Sequence, residues 1–225
     1  MMPDTAADLP LGIFGGTFDP VHYGHLRLAE EAADSLDLGS VRWIPAGQPG
    51  LRDAPRVGAV ERLEMVRLAI AGNPRFELDA AEVEAAQPSY TVPTLERLRQ
   101  PQACGAQRPL VLLVGADAFS RLSGWHRWEE LFALAHIAVA HRPGFPIDSA
   151  RFAPELARVF AERFCSDAAA LRKAPAGCIV PFAMTQLDVS ATRIRALLSK
   201  GQSPRYLLPD PVIAHIWKRR FYSEN

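Results

Sequence analysis

Lysine is nearly missing from this chain: only Lys173, Lys200 and Lys218 occur in 225 residues. None of them stands in a G-x-x-x-x-G-K-[ST] stretch, so a lysine-bearing phosphate loop is excluded. Cysteine is scarce too. Cys104, Cys165 and Cys178 are odd in number and show no C-x-x-C spacing, which argues against a disulfide framework or a structural zinc and for reduced thiols in a cytoplasm. Charge of one sign is lacking, since 25 basic residues balance 25 acidic ones. No overall field therefore draws the protein to nucleic acid or to an anionic membrane, and any anion site must be local. No apolar run approaches the roughly 20 residues that cross a bilayer. Met1 to Pro10 have neither the basic start nor the apolar core of a signal peptide and read as a flexible tail. Further motifs are also absent. Gly12, Gly15 and Gly16 have the wrong spacing for G-x-G-x-x-G, no G-x-S-x-G elbow occurs, and His22-x-x-His25 lacks the glutamate and the i, i+4 spacing of a zinc helix. Dinucleotide binding of that kind and hydrolase chemistry fall with them.

What is present is an alternation of apolar runs and amphipathic stretches, without repeats or low complexity, and this is the signature of an α/β protein. A doubly wound parallel sheet in one domain spanning 1–225 is expected, because a single core grows to about 250 residues before splitting. Strands are expected at Leu11–Phe14, Val41–Ile44, Phe76–Leu78, Leu110–Val114, Ile137–Ala140 and Cys178–Phe182. The run at Leu110–Val114 is continuously apolar, as a strand buried on both faces would be. Helical spacing follows Leu26, covers Glu61 to Ala71, begins near Thr91 with Pro93 in the first turn, and covers Ala150 to Phe164. Pro45 to Gly58 is too long for an ordinary connector and reads as a binding loop or a disordered one. Residues 189–225 form a C-terminal helical part.

Two segments carry the chemistry. Gly12-Ile13-Phe14-Gly15-Gly16-Thr17-Phe18-Asp19-Pro20-Val21-His22-Tyr23-Gly24-His25 joins a strand to a helix. Glycines there let backbone approach a ligand, and the free N–H groups of a helix start favour an anion. His22 and His25, three apart, add ring donors on the same side. The second segment is Ser190-Ala191-Thr192-Arg193-Ile194-Arg195, closed by Gly201. Ser190 can cap a helix whose buried stripe is Ile194, Leu197 and Leu198, with Gly201 at the left-handed end position. Thr192 and the guanidinium of Arg195 suit phosphate oxygens, although most serines at helix starts only cap. Donors and cations without an obvious nucleophile or base fit transfer of a nucleotidyl group to an acceptor that is already an anionic phosphate.

These residues resemble a family. Gly15-Gly16-Thr17-Phe18-Asp19-Pro20-Val21-His22-Tyr23-Gly24-His25 is similar to the G-G-T-F-D-P-x-H-x-G-H signature of bacterial nicotinate-nucleotide adenylyltransferases, in the T/H-x-G-H nucleotidyltransferase superfamily, and Ser190 to Arg195 resembles its S-[AS]-T-x-I-R motif. The resemblance covers nearly everything from Leu11 to Phe221. It implies a Rossmann-like fold and formation of nicotinate adenine dinucleotide and pyrophosphate from ATP and nicotinate mononucleotide, with Mg²⁺ accompanying ATP. It implies that His22 and His25 contact the ATP phosphates, that Gly15, Gly16, Thr17 and Phe18 line that site by backbone, and that Ser190, Thr192 and Arg195 hold the β- and γ-phosphates. His22, His25 and Arg195 are the implied catalytic residues.

On the acceptor side, the resemblance implies that Ser89, Tyr90 and Thr91 receive the nicotinate carboxylate at a helix start. It also implies that Trp125 stacks on the pyridinium ring and that Asp117 and Arg142, after core strands, lie near the substrates. Taken without the resemblance, Trp125 could be a core residue, Asp117 a helix cap and Arg142 a surface arginine. Where the family shows Ile-Pro-x-x-x-Pro-Pro-His-Lys, this chain has Leu51 and Arg52 in the last two places, so the loop is given no catalytic role and a different closure is expected. Alternatives are an acceptor such as nicotinamide mononucleotide or phosphopantetheine, for which the chain is long, or a non-catalytic nucleotide sensor. Small-molecule substrates are expected, without nucleic acid or membrane as partner. The sequence leaves monomer and homo-oligomer open.

Overall fold

The computed structural model describes residues 9–50, 54–85, 87–144 and 147–223. Leu11 to Phe14 are apolar and wholly buried, and they open strand β1, Leu11–Gly16, which runs into the two glycines. Helix α1, Tyr23–Ser35, follows and buries Leu28, Ala29, Ala32 and Ala33 at helical spacing. Next come β2 (Ser40–Pro45), the short β3 (Gln48–Pro49), α2 (Ala59–Ile70), β4 (Phe76–Leu78), α3 (Ala81–Glu84), β5 (Pro88–Ser89) and α4 (Thr91–Leu98). Pro93 lies in the first turn of α4, where its missing N–H does no harm.

The second half contains β6 (Leu110–Gly115), α5 (Ala116–Phe119), α6 (Leu131–Leu134), β7 (His136–His141), α7 (Pro154–Arg163), β8 (Ile179–Ala183), α8 (Ala191–Ser199) and α9 (Asp210–Arg219). Six strands form one sheet in the order β4-β2-β1-β6-β7-β8, while β3 and β5 make a separate parallel pair. The pairs β1–β6, β6–β7 and β7–β8 are all parallel, with Leu11 opposite Leu110, Val111 opposite His136 and Ile137 opposite Ile179. The fold is the expected Rossmann-like doubly wound sheet. Strand order reverses at β1, and the end of the strand at such a switch point is where open α/β sheets bind ligands.

The chain falls into two compact units. One takes in the chain up to Phe14, Leu28–Arg42 and Tyr90–Thr185; the other takes in Gly15–Arg27, Trp43–Ser89 and the chain from Gln186 onward. In the first, Leu110 to Val114 and His136 to Ala140 are buried throughout. Burial on both faces makes each such aliphatic side chain worth about 1.5–3 kcal/mol over its exposed state. The helix expected over 150–164 is shorter: Ser149–Arg151 form a 3₁₀ turn and α7 starts only at Pro154. Proline removes an N–H that a through-going helix would need but is well placed in a first turn. In the second unit α2 packs on α9, burying Met65, Val66 and Ile70 on one side and Val212, Ile213 and Ile216 on the other. His215 on α9 is within 2.9 Å of Glu61 on α2.

Cys104, Cys165 and Cys178 are free thiols. Among the described residues no helix is long and apolar enough to cross a membrane. The tail residues 1–8, and Leu51 and Arg52 of the long loop, lie outside the described residues.

Candidate active site

The second unit holds every residue expected on the ATP side. From β1 the chain passes through Gly15 and Gly16 to Phe18, which adopts a left-handed φ of 49°. That turn drives the Phe18 ring into the interior, 3% exposed, and beneath Gly16, where an added Cβ would lie 2.8 Å from the ring. Gly15 has only the Ile44 carbonyl within 4 Å, at 3.9 Å, so its missing side chain leaves open space. Behind the loop stands an aromatic column: Phe76 against Trp43 at 5.4 Å, Trp43 against Phe18 at 5.4 Å, and Phe18 edge-on to His25 at 5.1 Å.

His22 and His25 stack with ring centroids 3.7 Å apart and planes 25° from parallel. The His22 backbone N–H donates to His25 Nδ1 at 3.2 Å, which leaves the neutral His25 ring with its proton on Nε2 as a donor. His22 is 7% exposed, and burial pushes its pKa down to about 4. It is therefore uncharged at neutral pH, and two imidazolium charges at this separation would repel one another. His22 Nδ1 is buried without a hydrogen-bond partner. A Cβ on Gly24 would sit 3.0 Å from that atom, so only glycine fits there without pressing on the ring.

The two motifs meet in this unit. Arg195 Nη1 donates to the Asp19 carbonyl at 2.7 Å, across 176 residues of sequence, and its Nη2 donates to Thr192 Oγ1 at 3.3 Å. Ser190 is the N-cap of α8, its Oγ accepting from the Arg193 N–H at 3.2 Å. The capping role expected from sequence is thus present, and the hydroxyl proton remains available as a donor. Gly201, at φ 67°, follows α8 in the left-handed conformation its position called for.

Acceptor-side residues divide between the units. Ser89, in the second, accepts from the Gly47 N–H at 2.9 Å. Tyr90, Thr91, Asp117, Trp125 and Arg142 belong to the first. There the Tyr90 ring, at the start of α4, packs on His126 at 4.7 Å, which brings Tyr90 and Thr91 beside the turn that carries Trp125. Trp125 is half-buried, not a core residue. Asp117 lies inside α5 while Gly115 takes the cap position, so it does not cap that helix. Asp117 and Arg142 are both exposed and follow the carboxyl ends of the adjacent parallel strands β6 and β7. His136 is a buried core residue.

Sequence reasoning passed over Arg62, Asp19 and Tyr222. Arg62 is 1% exposed and donates to three carbonyls, those of Val57, Thr17 and Gly47, at 3.0, 2.7 and 2.8 Å. Burial holds its pKa below that of a free arginine, with Asp19 working in the opposite sense. The Asp19 carboxylate, 6% exposed, accepts from the Arg56 N–H at 2.8 Å and from the Tyr222 hydroxyl. Burial, then the bond to Asp19, raises the Tyr222 pKa far above that of an ordinary tyrosine. A helical arginine and a tyrosine near the end of the chain carry no local signal of these partners. Only the D-P turn within the signature could have drawn attention to Asp19.

A strand-to-helix loop that carries two stacked imidazoles, joined by an arginine from the second motif, is the equipment of a nucleotidyl transferase. Residues 13–197 match the cytidylyltransferase-like family. The probable nicotinate-nucleotide adenylyltransferase of Dechloromonas aromatica is 61% identical over 96% of this chain and 99% of its own. The protein of that name from Acidithiobacillus ferrooxidans is 46% identical, with 92% of each chain covered. The nicotinic acid mononucleotide adenylyltransferase of Plasmodium falciparum, solved in complex with NaAD, has the same fold at TM-score 0.69 and 16% identity, over 95% of this chain and 97% of that one. The chain belongs to the nicotinate-nucleotide adenylyltransferases.

Proposed function

We propose that the protein transfers the adenylyl group of ATP to nicotinate mononucleotide, releasing pyrophosphate and forming nicotinate adenine dinucleotide, a step of NAD biosynthesis carried out in the cytoplasm. The observation that carries this reading is the bond from Arg195 to the Asp19 carbonyl, which gathers both motifs around the stacked histidines. In this reading the backbone of Gly15 to Phe18 admits the ATP phosphates, and His22 and His25 donate ring N–H groups to them. Ser190, Thr192 and Arg195 hold the β- and γ-phosphates. The acceptor phosphate is already anionic and needs no base, so the protein's work is to hold it in line with the α-phosphorus and to stabilise charge on the departing pyrophosphate.

Among the described residues no group of three His, Cys, Asp or Glu could hold a metal ion. Mg²⁺ brought with ATP would share the charge on the leaving pyrophosphate. Ser89, Tyr90 and Thr91 take the nicotinate carboxylate, Trp125 offers its ring to the pyridinium, and Asp117 and Arg142 complete the acceptor side. Half-buried Trp125 beside the Tyr90–His126 pair supports a flat aromatic acceptor.

The test supplies purified protein with ATP, Mg²⁺ and one acceptor at a time: nicotinate mononucleotide, nicotinamide mononucleotide or phosphopantetheine. Pyrophosphate and product mass are followed. The nicotinate acceptor should be used fastest. Faster use of either other acceptor would reassign the substrate, and ATP binding without turnover on any would mark a nucleotide sensor.

A further inference from the structure

Arg62 and Gly47 form a continuous chain of hydrogen bonds between the phosphate loop and Ser89. The Arg62 Nη1 donates to the Thr17 carbonyl, within the G-G-T-F loop. Its Nη2 donates to the Gly47 carbonyl, and the Gly47 N–H donates in turn to Ser89 Oγ. Its Nε holds the Val57 carbonyl, at the far end of the same loop. Each neighbouring feature leaves the chain little play. A Cβ on Gly47 would fall 2.0 Å from the Glu82 carbonyl oxygen, so backbone packs directly on backbone there. Gln48 and Pro49 pair with Pro88 and Ser89 as parallel strands, and the Ala46 N–H bonds to the Gly16 carbonyl. A planar guanidinium with donors fixed in three directions suits this junction; an ammonium on a flexible stem does not.

We propose that Arg62, acting through Gly47, is a positioning residue that couples the ATP phosphate loop to Ser89. The proposal rests on the reading of Gly15 to Phe18 as the ATP site and of Ser89 as an acceptor-binding residue. Residues 45–49 then work as a strut between two substrate-binding segments. Displacement of the Thr17 carbonyl on nucleotide binding is passed through the guanidinium to Gly47 and so to the Ser89 hydroxyl.

Two readouts on the full chain test this, one of them independent of turnover. Binding of a non-reactive α,β-methylene ATP analogue should slow amide hydrogen exchange at Gly47 by about threefold or more in the natural protein and leave it nearly unchanged in Arg62→Lys. In steady-state assays kcat of Arg62→Lys, per folded molecule, should fall by about tenfold or more, while KM for ATP changes by less than about threefold. Free guanidinium should restore much of the lost rate to Arg62→Ala, whereas ammonium should not; this arm holds even if the lysine variant folds poorly. A natural protein whose Gly47 exchange ignores the bound analogue would overturn the proposal. So would an Arg62→Lys enzyme that loses melting temperature but keeps its kcat. If the analogue slows Gly47 exchange through Arg62 but no acceptor is ever adenylylated, the coupling stands and the assigned reaction falls.

Discussion

Adjacent glycines in the G-G-T-F loop have different reasons to be glycine. Gly16 lies over the Phe18 ring, and Gly16→Ala would force that ring or the loop to shift, at a cost of about 1–3 kcal/mol in a packed interior. Gly15 faces open space, so Gly15→Ala should melt with the natural protein. If Gly15 serves close approach of phosphate, that variant should lose ATP affinity all the same, a split that calorimetry and thermal unfolding together would resolve. His22 supplies a second residue-scale prediction. In the unfolded chain it takes up a proton near its ordinary pKa of 6.5, but in the folded chain burial holds it off until about 4. Between those values the unfolded state binds more protons, so stability rises with pH through the window and is lost as pH falls. The full loss is about 3 kcal/mol from this one group. Urea unfolding across that range should show a slope that His22→Gln removes.

At the scale of elements, the short helix α8 is held at its start by its own cap and by Arg195 reaching the Asp19 carbonyl. Ser190→Ala should cost about 1 kcal/mol of stability, and Ser190→Gly only a few tenths, because glycine is tolerated at an N-cap. If the Ser190 hydroxyl also binds the ATP phosphates, both variants should raise KM for ATP alike. A glycine variant with normal KM would confine Ser190 to capping. Elements with a periodic apolar pattern were legible in the sequence: β6 and β7 announce themselves as buried runs, and α1 and α2 by their helical spacing. The β3–β5 pair was not, since two residues including a proline make no pattern. The interruption before Pro154 was signalled by the proline itself, yet the surrounding periodicity overrode it. Arg62 was read as part of an amphipathic helix, where arginine ordinarily faces water. Its burial is offset by three carbonyls, of which those of Thr17 and Gly47 lie far off in sequence, and no local window contains that information.

For the whole molecule, both motifs could be read from sequence because each carries its own turn, cap and donors. That they meet follows from the fold, through a bond spanning 176 residues. The network beneath them, from Tyr222 and Arg56 to the Asp19 carboxylate and from Arg62 to Thr17, is tertiary throughout, and its partners Arg56, Arg62 and Tyr222 lie outside both motifs. The central claim joins that geometry to a reaction: the clamp formed by the two motifs stabilises pyrophosphate as nicotinate mononucleotide accepts the adenylyl group. The most direct measurement is the rate of nicotinate adenine dinucleotide formation, with equimolar pyrophosphate, by the natural protein and by His22→Ala at equal folded concentration. The account predicts turnover by the natural protein and a loss of about 10²- to 10³-fold in kcat for the variant, the scale of removing one donor from a developing charge. Product formation at an undiminished rate by His22→Ala would contradict it.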